Sequence, residues 1–359
     1  MSALEKITLT QFRNYQYASF EFDAPIICIT GLNGVGKTNL LDAIYYLCYT
    51  KSYFTGYQQY LSKLGCDGFR LEGVFAGLNG TESVSCKWQN GKKEIFQNDV
   101  LCENVKDYIG KHTAVMIAPD DVEIINEGSE VRRKWVDGIL AQTDKVYFDC
   151  LLKYQQVLAQ RNAWLKMNAV KAQHDFSLMD FYDSILAETG TYIHQARKTF
   201  IEKFITHLVA YYEKLSGGVE QITIRYHSEV HQTPLAGLLK NSLSNDLALQ
   251  RTLKGVHKDD FEFVLNGRLI RQFGSQGQKK TYLFALKLAQ YRFLQTILGL
   301  SPVLLLDDIF EKLDNERLAA LLSIIEHEDI GQVFLTDIDA ERIKKNLKSV
   351  GDITNILLK

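Results

Sequence analysis

The sequence predicts an α/β fold: a head with a mixed sheet and an antiparallel meander, interrupted by an inserted α-helical arm. Three observations carry this. The apolar run Ile26-Ile27-Cys28-Ile29 leads into Gly31-Leu32-Asn33-Gly34-Val35-Gly36-Lys37-Thr38 and then Asn39-Leu40-Leu41-Asp42-Ala43-Ile44. With Leu40, Ile44 and Leu47 at helical spacing, this reads as a buried parallel strand, a glycine-rich turn and a helix. Residues 69–100 hold two Asn-Gly pairs flanked by alternating residues, the mark of tight hairpins. From about Gly128 the period lengthens to three or four residues and stays so until Gly217-Gly218, which reads as long helices.

At 359 residues and 46% apolar, the chain can bury one large core or two modest ones. The opening residues carry no basic region followed by an apolar stretch, and no window reaches the length of a membrane span, so a cytoplasmic location is expected. The six cysteines are scattered without C-x-x-C spacing, which favours buried free thiols over disulfides or zinc. With 41 basic and 43 acidic side chains the net charge is −2, so any nucleic-acid surface must be local. Only four prolines argue for domains joined by ordered chain.

In order, residues 4–23 read as two strands joined at Phe12-Arg13-Asn14-Tyr15, ahead of the strand and helix that flank the glycine-rich turn. The meander follows, with hairpins at Asn79-Gly80 and Asn90-Gly91 around Val84, Cys86 and Trp88. One helical stripe runs through Tyr147, Leu151, Tyr154, Leu158, Arg161 and Leu165, and a second from Tyr182 to Phe200 and Tyr211. The second is ~45 Å long at about 1.5 Å per residue. These helices are expected to pack antiparallel as an arm, their stripes being core. Strand patterning resumes at Gln221, an Asn266-Gly267 hairpin follows, and Phe273-Gly274-Ser275-Gln276-Gly277-Gln278-Lys279-Lys280 opens a helix whose inner face is Phe284, Leu288, Tyr291, Leu294 and Leu298. The apolar strand Pro302-Val303-Leu304-Leu305-Leu306 ends in Asp307-Asp308, and Val333-Phe334-Leu335 ends in Thr336-Asp337. The two halves of the head must share one sheet. The expected division is 1–125 for the first part of the head, 126–218 for the arm and 219–359 for the second part.

The chemistry follows from the spacing. Gly31 to Gly36-Lys37-Thr38 matches a P-loop, in which backbone N–H groups of Gly31, Leu32, Asn33, Gly34, Val35, Gly36, Lys37, Thr38 and Asn39 gather at a helix N-terminus around phosphate. Lys37 reaches the β- and γ-phosphates of ATP, and Thr38 offers its hydroxyl to Mg²⁺. A strand ending in an acid supplies the metal-holding carboxylate, assigned to Asp307, with Asp308 placed to orient or deprotonate the attacking water. Asp reaches less far than the Glu usual in related ATPases, so slow hydrolysis is expected. The same acid pair could instead cap a helix after a core strand. Ser275-Gln276-Gly277-Gln278 at a helix start is a second anion-binding device or an ordinary N-cap. Placed between a P-loop and Asp307, it resembles the signature of ABC-type P-loop ATPases. That resemblance implies a head-to-head homodimer driven by ATP, the signature of one copy touching the γ-phosphate held by the other, with Asp314 as the D-loop residue of the same interface.

Two relatives of this type are disfavoured by the sequence. Chromosome-organising SMC proteins insert hundreds of heptad residues where this chain has about a hundred. Transporter subunits end the last strand in a histidine, where Thr336-Asp337 stands here. Taken with Phe12-Arg13-Asn14-Tyr15, Ala118-Pro119-Asp120-Asp121, Arg132-Arg133-Lys134-Trp135-Val136-Asp137, Gln160-Arg161-Asn162 and His257-Lys258-Asp259-Asp260, these motifs make the chain similar to the RecF family of DNA-repair ATPases over nearly its whole length. Val256 and Lys258 stand where Pro and Arg are more usual, and Lys279-Lys280 where an Arg is common, a change from planar fork to point charge. The resemblance implies a cytoplasmic, weakly ATP-hydrolysing protein that dimerises with ATP on gapped, single- or double-stranded or junction DNA. It further implies action with RecR and RecO to place RecA, in replication restart and the SOS response. Arg13 matches a position contacting adenine or phosphate, or is a surface hairpin arginine. For DNA the candidates are Arg132, Arg133, Lys134, Lys279 and Lys280, together with Lys51, Arg70 and Arg161, each equally readable as a solvated charge. An ABC-type transport subunit and an ATP-gated scaffold with negligible hydrolysis stay open as alternatives.

Overall fold

The computed structural model describes residues 3–77, 80–169, 176–218, 220–309, 313–338 and 353–358. Asn79 of the first expected hairpin turn, and residues 310–312 ahead of Asp314, lie outside the described residues. The chain forms two compact units, one of Met1–Val122, Ala210–Val219 and Ser275–Lys359, the other of Glu123–Val209 and Glu220–Gly274.

The first unit opens with β1 (Ala3–Phe12) and β2 (Tyr15–Glu21), antiparallel around Arg13-Asn14. A register shift between Leu4 and Lys6 explains how Leu4, Ile7 and Leu9, unevenly spaced, all come to be buried. Next come β3 (Ile26–Thr30), α1 (Lys37–Tyr49), β4 (Gly68–Gly77), β5 (Gly80–Gln89), β6 (Lys92–Gln97), β7 (Val100–Leu101) and β8 (Ala114–Ile117). β2-β1-β4-β5-β6-β7 is one antiparallel sheet.

The second unit holds α2 (Glu123–Asn126), α3 (Ser129–Thr143), α4 (Lys145–Asn168), α5 (Ser177–Ser216) up to residue 209, β9 (Ile222–His227), α6 (Leu235–Leu249), β10 (Asp260–Leu265), β11 (Arg268–Leu269) and α7 (Ile270–Phe273). α5 runs 40 residues, longer than the stripe implied. The larger correction concerns 220–274, which the sequence assigns to the head. Here β9, β10 and β11 form their own antiparallel sheet and belong with the helices. Buried ion pairs make the join. Arg161 of α4 is fully buried and binds Asp183 of α5 and Asp246 of α6, both at 2.6 Å. Arg197 of α5 binds Asp137 of α3 and Asp259, both at 2.8 Å. Trp135 meets Phe200, Phe204 and Phe263 edge-on.

The chain then returns to the first unit with α8 (Gln276–Leu298), β12 (Val303–Leu306), α9 (Asn315–His327), β13 (Val333–Asp337) and β14 (Ile353–Leu357). β14-β3-β13-β12-β8 is a parallel sheet, with Leu305 opposite both Phe334 and Met116 and Phe334 opposite Ile27. Every residue of β3, β8, β12 and β13 is buried, as unbroken apolar runs in a parallel sheet require. The two strand senses are thus sorted into separate sheets. One core joins them: Leu40, Leu41, Ile44 and Leu47 of α1 cluster with Ile7 and Leu9 of the antiparallel sheet and with Ile27, Leu305 and Phe334 of the parallel one. That core fixes α1, and so the turn before it.

Candidate active site

α1 begins at Lys37 after Gly36, whose φ of +112° suits glycine and whose position has no side chain capping the helix. The first-turn N–H groups of α1 are therefore left for an anion. A Cβ on Gly36 would lie 2.6 Å from Asn14 Nδ2 and 3.0 Å from the Tyr15 hydroxyl, so the glycine also admits the β1–β2 turn. That turn braces the loop. Asn14 Nδ2 donates to the Val35 carbonyl at 2.9 Å and Tyr15 to the Gly36 carbonyl at 3.0 Å. Asn39 Nδ2 in turn donates to Asn14 Oδ1 at 2.8 Å. Lys37, almost wholly buried, turns its Nζ back across the loop to the carbonyls of Gly31 at 2.8 Å and Leu32 at 3.1 Å.

Opposite the loop, Thr38 donates its hydroxyl to the Asp307 carboxylate at 2.9 Å. Thr336, at the end of the neighbouring strand β13, donates to Asp307 Oδ1 at 2.8 Å and accepts the N–H of Asp308 at 2.9 Å. Burial first, then the charge of Asp308, push the Asp307 carboxyl above its ordinary value, against the hydrogen bonds from Thr336 and Thr38 and the Lys37 charge. A buried carboxylate whose ionisation is disfavoured, beside a hydroxyl oxygen, is a hard-oxygen donor set that suits a divalent cation such as Mg²⁺. Asp308 has a φ of +49°, a strained backbone for a residue other than glycine, held by its bond to Thr336.

On the same unit, Ser275 caps α8. Its Oγ accepts from the Gln278 N–H at 3.2 Å, and Gln278 Oε1 accepts from the Ser275 N–H at 2.7 Å. The cap and the anion device are compatible, because a hydroxyl that accepts one bond keeps its hydrogen to donate outward. Ser275 and Gln276 are exposed. Asp314 caps α9 and binds Arg317 Nη1 at 2.5 Å. A Cβ on Gly277 would lie 3.0 Å from that nitrogen, so Asp314 and Gly277 meet across Arg317.

The AAA domain family matches residues 6–355. The DNA replication and repair protein RecF of Flavobacterium johnsoniae is 39% identical over 347 residues, 96% of this chain and 97% of the relative. The chain belongs to the RecF family. Two solved structures of the recombination mediator protein RecF in the RecFOR pathway agree. The RecF-ATPrS structure has a TM-score of 0.89 at 30% identity, covering 100% of this chain and 98% of its own. The RecF-ATP structure has a TM-score of 0.87 at 31% identity, covering 94% and 92%. The P-loop, Thr38 and Asp307 described above all lie in the first unit.

Within this RecF-family chain the structure brings Thr38, beside Lys37, against Asp307. Arg13 is half-buried. Its guanidinium binds the buried Asp42 of α1 at 3.1 Å, from a backbone with a φ of +54°. Two DNA candidates are corrected. Arg132 is 2% exposed and clamps Asp260 at 2.7 and 3.0 Å, and Arg161 is the buried hub of α4, so neither can reach a phosphate. Arg133 is half-buried and donates to the Asp259 carbonyl at 2.6 Å. Lys134 stays exposed beside Glu130, Lys51 is exposed, and Arg70 pairs with Glu72 on the surface. Lys279 and Lys280 are half-buried on the first turn of α8. Sequence reasoning missed Thr336 as a site residue. Its place at the end of a strand beside β12 was a signal, but only once the strand order is known.

Proposed function

We propose that this RecF-family chain is an ATP-dependent DNA-binding protein of recombinational repair, whose weak hydrolysis of ATP is coupled to dimerisation on DNA. The observation that carries it is the joining of P-loop and strand-end acid through Thr38 and Asp307, on the unit that also exposes Ser275. The N-terminus of α1 and Lys37 bind the phosphates, Lys37 exchanging its loop carbonyls for phosphate oxygens. Thr38 and Asp307 would hold Mg²⁺, which when bound neutralises charge on the phosphates. Thr336 keeps Asp307 oriented, and Asp308 orients the attacking water and takes its proton. Ser275, Gln276, Gly277 and Gln278 of a second copy close the site over the γ-phosphate, with Asp314 at the same interface. DNA, gapped or at a single-strand/double-strand junction, is held by backbone contacts from Lys134, Lys279 and Lys280. The RecFOR pathway in which the two solved relatives act points to RecO and RecR as the protein partners. RecA loading, replication restart and the SOS response would lie downstream. Among the described residues no helix is long and apolar enough to cross a membrane.

Sedimentation of the purified chain with ATP and Mg²⁺, with and without a gapped duplex, tests the reading. Wild type should shift from monomer to dimer and carry the duplex, while Ser275→Arg stays monomeric yet binds ATP. A wild type that stays monomeric and ignores the duplex would overturn both the dimer and the DNA role.

A further inference from the structure

A buried polar cluster in the first unit has no part in the chemistry above. Lys287 lies about three turns into α8 and is 3% exposed. Its ammonium donates to the Tyr53 hydroxyl at 2.7 Å and sits 3.1 Å from the Asp121 carboxylate. Asp121 belongs to the single turn after β8, where it accepts the Ala118 N–H at 2.7 Å and the Tyr53 hydroxyl hydrogen. Tyr53 donates its N–H to Asp42 at 2.8 Å, and Asp42 is the partner of Arg13 in the turn that braces the P-loop. Polar contacts thus run from Arg13 to Asp42 and the Tyr53 N–H, and, at the far end of the Tyr53 ring, from its hydroxyl to Asp121 and Lys287 on the helix that starts beside Ser275.

Stability does not account for the lysine. It is surrounded along α8 by buried Leu283, Phe284, Leu288 and Tyr291, where an apolar side chain of similar length would cost less desolvation. Burial accordingly pulls the Lys287 ammonium down from its ordinary value, with Asp121 opposing. A second feature shows what the pair holds in place. A cavity of about 170 Å³ lies between the first turns of α8, the turn after β8 and the strand-end acid, lined by Ile117, Pro119, Leu283, Phe284, Asp307 and Ile309. On that side the start of α8 borders open space rather than a continuous layer of side chains.

We propose that Lys287 is a positioning residue for the signature. Its pairing with Asp121 and Tyr53 fixes α8 against the turn after β8, and so sets where Ser275 at the start of that helix is presented. The inference rests on the ATP-driven dimer proposed above. It makes no claim on the γ-phosphate chemistry, which Lys287 does not touch.

The test compares wild type, Lys287→Met, Asp121→Asn and the double variant for affinity toward a fluorescent ATP analogue, for ATP-driven dimerisation by sedimentation, and for thermal melting. In Lys287→Met, nucleotide affinity should stay within about twofold while dimerisation weakens about tenfold or more, the size of an ordinary coupling factor. The double variant buries no unpaired charge, so it should regain melting temperature yet dimerise no better than either single variant. Dimerisation of Lys287→Met within about twofold of wild type overturns the inference. So does a loss of dimerisation that merely follows nucleotide affinity and melting temperature in all three variants, for that is packing. If wild type itself fails to dimerise with ATP, the dimer reading falls and takes this inference with it, an outcome visible before any variant is compared.

Discussion

Replacing Asp308 by asparagine isolates one chemical role. Asn and Asp share shape and tolerate the left-handed backbone, so the φ of +49° carries over. The bond from the residue 308 N–H to Thr336 at 2.9 Å is made by backbone and also survives. Folding stability should therefore move by less than about 0.5 kcal/mol. What is lost is an oxygen able to take a proton from water. General-base assistance contributes about 10²- to 10⁴-fold, and at about 1.4 kcal/mol per factor of ten this is roughly 3–5 kcal/mol on the barrier. Single-turnover release of γ-phosphate at saturating ATP measures it, with nucleotide affinity and a thermal melt as controls. Asp308→Ala should lose the same chemistry and in addition melt lower, by about 1 kcal/mol, because alanine pays the left-handed strain in full. A rate for Asp308→Asn within about threefold of wild type, on an intact fold, would refute the assignment and move the base elsewhere.

Other outcomes follow from the same geometry. Lys37→Met should abolish the rise in melting temperature that saturating ATP gives wild type, which at a hundredfold excess over Kd is worth about 2.7 kcal/mol. Asp307→Asn keeps acceptor and shape for Thr38 and Thr336 but sheds a buried charge whose proton affinity burial raises, so at neutral pH it should stabilise the nucleotide-free protein by about 1 kcal/mol while abolishing turnover. Arg132→Met should cost about 3 kcal/mol by stranding Asp260 and leave the salt dependence of DNA binding unchanged, whereas Lys134→Ala or Lys280→Ala should leave stability alone and lower the salt slope by about one each if they meet phosphate. His257 accepts from Tyr154 at Nδ1 and faces the Thr252 carbonyl at Nε2, and burial lowers its pKa to about 4. The unfolded chain then binds a proton that the native state refuses, so stability is full above the unfolded value near 6.5 and is lost as pH falls toward 4. Denaturant midpoints at pH 7 and pH 5 should show the fall, and His257→Asn should make it shallower, since burial lowers His112 and His194 to about 4 as well.

Read by itself, the sequence determined the local pieces of this protein: the strand, turn and helix around Lys37, the Asn90-Gly91 hairpin, the strand ending in Asp307 and the cap at Ser275. These are short-range, written in apolar periodicity and in positions where only glycine or a capping hydroxyl serves. Only the tertiary structure decided which distant groups meet. Thr38 and Asp307 are 269 residues apart, and Arg132 and Asp260 are 128 apart. A sequence window shows an arginine but not its carboxylate, so Arg132 and Arg161 read as surface charges and are buried ion pairs. Residues 221–226 and 261–270 alternate like strands of the head, yet the apolar faces of 220–274 and Asp246, Asp259 and Asp260 find Trp135, Arg161, Arg197 and Arg132 on the helices. Alternation states that a face will be buried, not against what. That choice belongs to packing among elements far apart in the chain, where an unpaired buried charge costs more than any local preference can offset.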